Sequence, residues 1–409
     1  MSSRIVIHNI GVSMKRFSRR YSLKILVAGM VMAGLVLPSN IAPAQQLLKS
    51  YAQALPDITP MPDKEFNDKT MLYEDVPAGD EALSYRFRLP ADWKRPEDSA
   101  LTSYQISNKI LGEIVRYYGP PVIDKRSYFT LQAINLEYQL SAQQWLLQYL
   151  LSNGFTIQGI KEHNFKRAEA LYVKVIDSST YVIRAVAQMN GRRVVMAQYF
   201  MPADSWEGEK QMQAQVMKTF ELTYPITESV EEMTKYHFLD IAEFQYPVSW
   251  EFRATPMKGA ERMNFELLNI QSEQKIDWKN YKTLDGRIQV DIVAYDAADS
   301  VLGEIDNLKR GLAKINLAVG DKFETFDDFK FSNELNAGSV DVYKAIDNQN
   351  SLLNYEYWIV PLEAGDYYYF VSLITPSRDD DFFIWARNTQ AYALILSLIR
   401  PLDEGLIYR

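Results

Sequence analysis

Catalysis needs reactive side chains at workable spacing, and this sequence supplies few of them. Its 409 residues include no Cys and three His: His8, His163 and His237. The missing thiols exclude disulfides, thiolate zinc sites, Fe–S clusters, a Cys nucleophile and a lipid-modified Cys anchor. His163 and His237 are far apart in the chain with no third partner beside them, so each reads as an ordinary polar residue. Gly-x-Ser-x-Gly, Gly-rich phosphate loops and His-Glu-x-x-His are all absent. Asp379-Asp380-Asp381 precedes an apolar helical stretch, where capping oxygens and negative charge belong. Asp327-Asp328, set among Phe323, Phe326 and Phe329, lacks the alternating acids and Gly of a calcium loop and reads as solvated loop or strand edge. Arg184 is the one charge on the alternating stripe Val182, Arg184, Val186. A buried arginine needs a carboxylate or carbonyl, or else marks a ligand anion. An internal salt bridge is the first expectation, and Arg184 is kept as a weak ligand candidate. The chain is thus expected to have no catalytic residue, no metal ligand and no cofactor.

The N-terminus is legible as an address. Residues 1–44 carry six basic side chains and no acid, and Ile25–Leu37 is apolar but for two Gly. That run is short of the ~20 residues needed to span a bilayer. Pro38 and the small-x-small triplet Ala42-Pro43-Ala44 complete a signal peptide with cleavage between Ala44 and Gln45. A second triplet, Ala52-Gln53-Ala54, offers an alternative, and Met14 an alternative start. Ser18-Arg19-Arg20-Tyr21-Ser22-Leu23-Lys24 resembles the twin-arginine export signature, with Ser22 where Phe is usual. The ordinary secretory route is the competing reading. Either one leads to the periplasm of a bacterium.

Without those 44 residues, 38 basic and 52 acidic side chains remain, a net of −14. A body so charged repels phosphate backbones and anionic lipid surfaces, so nucleic acid is not an expected partner. With no second apolar run of spanning length, stable membrane insertion after cleavage is not expected either.

Two to three domains fit the length, and the remaining chain reads as one unit written twice. Residues 45–80 are Pro-rich and read as an extended leader or tether. Phe87-Arg88-Leu89-Pro90-Ala91-Asp92-Trp93 then returns 157 residues later as Phe244-Gln245-Tyr246-Pro247-Val248-Ser249-Trp250. Leu131-Gln132-Ala133 matches Val290-Asp291-Ile292 and Ser141 matches Ser300, both at offset 159; Pro202 and Pro376 are 174 apart. The later copy has therefore gained about fifteen residues within 315–350, and the units are 81–225 and 236–402. Ser141-Ala142-Gln143-Gln144 predicts a capping box opening a helix that Gly154 ends. Asn190-Gly191 predicts a hairpin whose register puts Ala187 opposite Val194 and Arg184 opposite Ala197. Pro202 stops that strand, and a closing helix starts at Asp204 or Ser205. In the second copy Tyr355–Pro361 and Tyr367–Ile374 pair, and a helix runs from Asp379–Asp381 to about Ile399. Meandering strands bracketed by helices give an α+β class: two tandem αβα sandwiches, each a mainly antiparallel sheet flanked by helices.

The Phe-x-Leu-Pro-x-x-Trp motif and this element order resemble the PsbP-like (PsbP/DcrB-type) fold. The resemblance covers both copies, with Pro90 and Pro247 on the motif Pro and Trp93 and Trp250 on its Trp. It implies compact α/β domains that bind or stabilise other proteins without known catalysis. Expected first, then, is a non-enzymatic periplasmic accessory or scaffold protein that binds protein partners in an envelope assembly. A small-ligand or lipid carrier with its site between the copies comes second, and a hydrolase using carboxylates alone third.

Overall fold

The computed structural model describes residues 53–96, 106–121, 123, 125–239, 241–254, 261–269, 285–327, 329–332 and 334–402. The export signal, with Arg19, Arg20, Ala44 and Gln45, lies outside them. No helix among the described residues is long and apolar enough to cross a membrane.

Among the described residues the fold is mixed α+β, with four sheets, all of whose pairings are antiparallel. The first half comprises α1 (Asp63–Lys69), β1 (Thr70–Asp75), β2 (Tyr85–Pro90), β3 (Gly112–Tyr118), β4 (Tyr128–Asn135), α2 (Ala142–Ser152), β5 (Thr156–Asn164), β6 (Arg167–Ile176), β7 (Ser179–Asn190), β8 (Arg193–Pro202), α3 (Trp206–Thr219) and β9 (Glu221–Leu222). The second half comprises β10 (Met233–Phe238), β11 (Ala242–Pro247), β12 (Trp250–Ala254), β13 (Arg262–Asn269), β14 (Arg287–Ala294), α4 (Val301–Gly311), β15 (Leu317–Phe326), β16 (Asn336–Ala337), β17 (Val340–Asp347), β18 (Asn354–Ala364), β19 (Tyr367–Pro376), α5 (Phe382–Leu398) and β20 (Arg400–Pro401).

One strand order occurs in both halves. The first large sheet runs β3-β4-β8-β7-β6-β5; the second runs β13-β14-β19-β18-β17-β15, with β12 on its outer edge. Where β12 pairs with β13, the first half has a single bridge between Lys94 and Tyr118. Each half also carries a three-stranded sheet, β1-β2-β9 or β10-β11-β20, which closes on the strand after the last helix. Pro90 pairs with Thr70 and Pro247 with Met233, so the two motif prolines end equivalent strands.

Two departures from the sequence reading have clear causes. Within the stretch read as leader, residues 63–75 form α1 and β1, because Phe66 is buried and β1 finds its partner in β2. Residues 53–62 do run extended: Ile160 N–H donates to Gln53 O at 2.9 Å, and Met61 exchanges two bonds with the Gln215 amide. The β7–β8 register differs by two residues. Asn190 pairs with Arg193, leaving Gly191 (φ +58°) and Arg192 as the two-residue turn, so Arg184 faces Tyr199 and Val186 faces Ala197. A Gly first in the turn is the type II′ preference. Asn190 is withheld because its side chain bonds Ala82 O, Tyr224 O and Ile226 N. A shift of two leaves every side chain on its expected face.

The expected caps form. Ser141 and Gln144 make the reciprocal box, and Gly154 follows α2 at φ +66°. Asp381 caps α5 by accepting from Ile384 N–H at 3.0 Å. On β7, Ile183, Ala185 and Ala187 face α2, while Val182 and Val186 face α3. On β18, Tyr357 and Ile359 face α4, while Trp358 and Val360 face α5. The α2 side of the first sheet and the α5 side of the second form one continuous core, with α2 against α5. Residues 42–409 accordingly make one compact unit.

Candidate functional site

Arg184 is buried on β7, and its Nη1 pairs with the Glu169 carboxylate on neighbouring β6. His163 Nε2 lies 2.9 Å from the other oxygen of Glu169. Burial raises the Glu169 carboxyl pKa, but the His163 hydrogen bond and the Arg184 charge outweigh it and hold the group below its ordinary value. The expected internal salt bridge is therefore present. Arg184 Nε and Nη2 have no hydrogen-bond partner among the described residues.

The second half puts Trp358 where the first has Arg184, and moves its buried charge nearby. Glu356 accepts Nε and Nη2 of Arg378 at 2.6 and 2.9 Å and the indole N–H groups of Trp358 and Trp385, both at 2.9 Å. Glu324 pairs with Arg378 at 2.9 Å. These donors occupy both oxygens of the Glu356 carboxylate and tie β18 to Arg378 and to α5. On the α4 side, Asp291 accepts from Gln289 at 2.8 and 3.0 Å and from Asn264 at 3.4 Å; burial raises its pKa to about 6. The equivalent in the first half is Gln132, which accepts from Gln198 at 2.5 Å.

The motif aromatics are core. Phe87 and Phe244 are fully buried; Trp93 packs on Tyr199 at 4.9 Å between ring centroids, and Trp250 begins β12 opposite Asn269. His237 is exposed beside Glu243. Of the acidic runs, Asp380 accepts from the Asn354 side chain at 3.0 Å and Asp381 is the helix cap, while Asp327 is exposed and Asp328 lies outside the described residues. Among the described residues no three His, Asp or Glu side chains gather as metal ligands would.

A cleft of about 550 Å³ lies between the halves, where the carrier reading put its site, with a lining that the sequence did not name. Hairpin ends of the first half (Phe165, Met189), the connection at Thr227–Ser229, the end of β15 (Phe326, Phe329) and α5 (Ala393, Leu394) line it. Its floor is apolar and its rim carries Lys166, Lys330 and Glu228. Such a cleft can take up an apolar chain or ring. The one local signal was Phe326 and Phe329 falling three apart in the expanded copy.

No family model matches the chain, and no curated protein matches it. Several solved structures align in part, two of them as follows. The solution structure of cyanobacterial PsbP (CyanoP) from Synechocystis sp. PCC 6803 matches 38% of this chain and 92% of its own, at 13% identity and TM-score 0.28. A crystal structure from Bacteroides thetaiotaomicron VPI-5482 matches 44% of this chain at 15% identity and TM-score 0.25; the chain spans 53% of that protein's length. Superpositions of this quality carry neither fold nor function across.

Proposed function

We propose that 81–225 and 236–402, with α1 and β1 added to the first, are two copies of a PsbP-like αβα domain. The chain they form is a non-enzymatic accessory protein of a bacterial envelope, delivered to the periplasm by residues 1–44. The repeated strand order supports the duplication. The observation that carries the non-catalytic reading is where the buried charge goes: Arg184 to Glu169, and Arg378 to Glu356 and Glu324. These pairs hold strands and helix together and leave the outer surfaces of two domains for protein partners. Crosslinking in the native envelope, repeated reciprocally from the captured partner, should return one protein in both directions. A substrate turned over by the purified chain, with turnover lost in Asp291→Asn while the fold is kept, would overturn the reading.

The cleft favours a second reading, that of a small-ligand or lipid carrier. Native mass spectrometry of the protein purified from the periplasm distinguishes it by an added mass that leaves on mild denaturation.

A further inference from the structure

Resting on the carrier reading of the cleft, we propose that its ligand is a single-chain amphiphile with a carboxylate head, of the fatty-acid type. The floor is built for an alkyl chain. Met189 and Phe326 are buried, and Phe329 lies 5.8 Å from Phe326 and edge-on to the Tyr392 ring at 6.2 Å. This wall is fixed by packing against Trp358, whose ring stacks on Phe326 at 5.2 Å.

Volume selects one chain over two. If a methylene occupies about the ~30 Å³ of a liquid water molecule, the cleft's 550 Å³ holds on the order of 18 such groups. That is one medium to long chain with its head, and about half of a two-chain lipid.

Charge selects the head. Lys330 is exposed at the rim and has no partner among the described residues. Lys166 is held at the same rim by donating to Ile226 O at 3.3 Å. Among the described residues Glu228 is the one acid lining the cleft, where it meets the two cations Lys166 and Lys330, in a chain whose net charge is −8. An anionic head beside Lys330 pairs its ammonium while its tail stays on the apolar floor. Gln139, Gln390 and Ser397 supply further polar atoms within the cleft.

The test is calorimetric titration of the delipidated mature protein with dodecanoate and, separately, with dodecan-1-ol, both below their aggregation limits. Dodecanoate should bind with one equivalent and more tightly than the alcohol. Lys330→Gln should weaken dodecanoate about two- to fivefold, as expected for a partly solvated ion pair, and leave the alcohol unchanged. Phe329→Asp should abolish both. Because Phe329 also packs in the core, Ala393→Trp, which fills the cleft from the half-buried side of α5, provides a second block. Equal binding of acid and alcohol, indifferent to Lys330→Gln, overturns the carboxylate head and leaves the carrier reading standing. No binding of either probe overturns both.

Discussion

Helices α2 and α4 occupy the same slot in the two halves, each opened by a serine whose side chain accepts from the third helical residue. Their outer faces differ completely. Leu147 and Leu150 of α2, both fully buried, stand where α4 has Asp306 and Lys309. Their inner faces agree, with Leu146 matching Ile305, both buried. The closing helices show the reverse contrast. The first half's α3 carries Glu207, Glu209, Lys210 and Lys218, whereas α5 has Arg387 as its one charge. The halves thus stack head to tail, through α2 of one and α5 of the other, and each outer end of the stack is a polar helix. A helix's polarity here follows its place in the stack, not its place in the domain. Such an array would propagate if α3 and α4 were apolar; as terminal caps they stop it at two.

The contrast can be broken most forcefully at Leu147. Leu147→Asp, which installs the residue that α4 carries, buries an unpaired charge between the first sheet and α5. It should cost on the order of 5 kcal/mol or more and abolish the cooperative thermal transition. The reciprocal Asp306→Leu is at an exposed site and should move stability by no more than ~0.5 kcal/mol. Comparable losses in both would mean that α2 does not lie at an internal junction.

Separating the halves asks the same question of the whole unit. Chains 53–225 and 230–402, expressed alone, each uncover one apolar helix, so each should fold and self-associate. Mixed, they should form a one-to-one complex by light scattering. Two non-interacting monomers would remove the junction.

Trp93 and Trp250 sharpen the comparison, being equivalent in sequence yet placed in different cores. Trp93 belongs to the α3 side of the first sheet; Trp250 belongs to the core shared by both halves. Either change to Ala should cost ~3–5 kcal/mol. Trp250→Ala should also raise amide exchange in α2, while Trp93→Ala should leave α5 protected. Indistinguishable exchange patterns would contradict the shared core.

Asp291 against Gln132 gives the smallest expected effect and the most specific one. A carboxyl raised from 3.8 to about 6 binds its proton more tightly in the folded state than in the unfolded. Its contribution to stability is therefore full below pH ~4 and is lost as pH rises through about 6. Asp291→Asn brings the site closer to its counterpart and removes that loss. The variant should be more stable by about 3 kcal/mol at pH 7.5, with the difference vanishing below pH 4. Denaturant melts across this range check the sign.

Much of the fold was legible where the signal is local. The capping box at Ser141, the Asp381 cap and the end of α2 at Gly154 each rest on a few adjacent residues whose backbone needs are met or not within one turn. The paired motifs around Trp93 and Trp250 fixed equivalent strands because the same burial recurs in both copies. The small sheets were missed. Strand β1 is largely exposed, and β9 and β20 are two residues long, so neither alternation nor length marks them. The hairpin register slipped because the long-range demands on Asn190 outrank its turn preference. The place of the cleft, between the copies, was anticipated for a carrier, but its lining was not, since its walls come from residues as distant as Phe165, Phe329 and Leu394.

What the sequence determined alone was therefore the class of each segment and the correspondence between copies. Periodicity, capping and turn chemistry act over short spans and repeat when the chain repeats. The tertiary structure decided which of two equivalent helices is interior, which buried arginine meets which carboxylate, and where an apolar cleft opens with Lys330 at its rim. Those outcomes depend on which faces meet when the halves pack, and that contact is made between residues too far apart in the chain for any local pattern to encode.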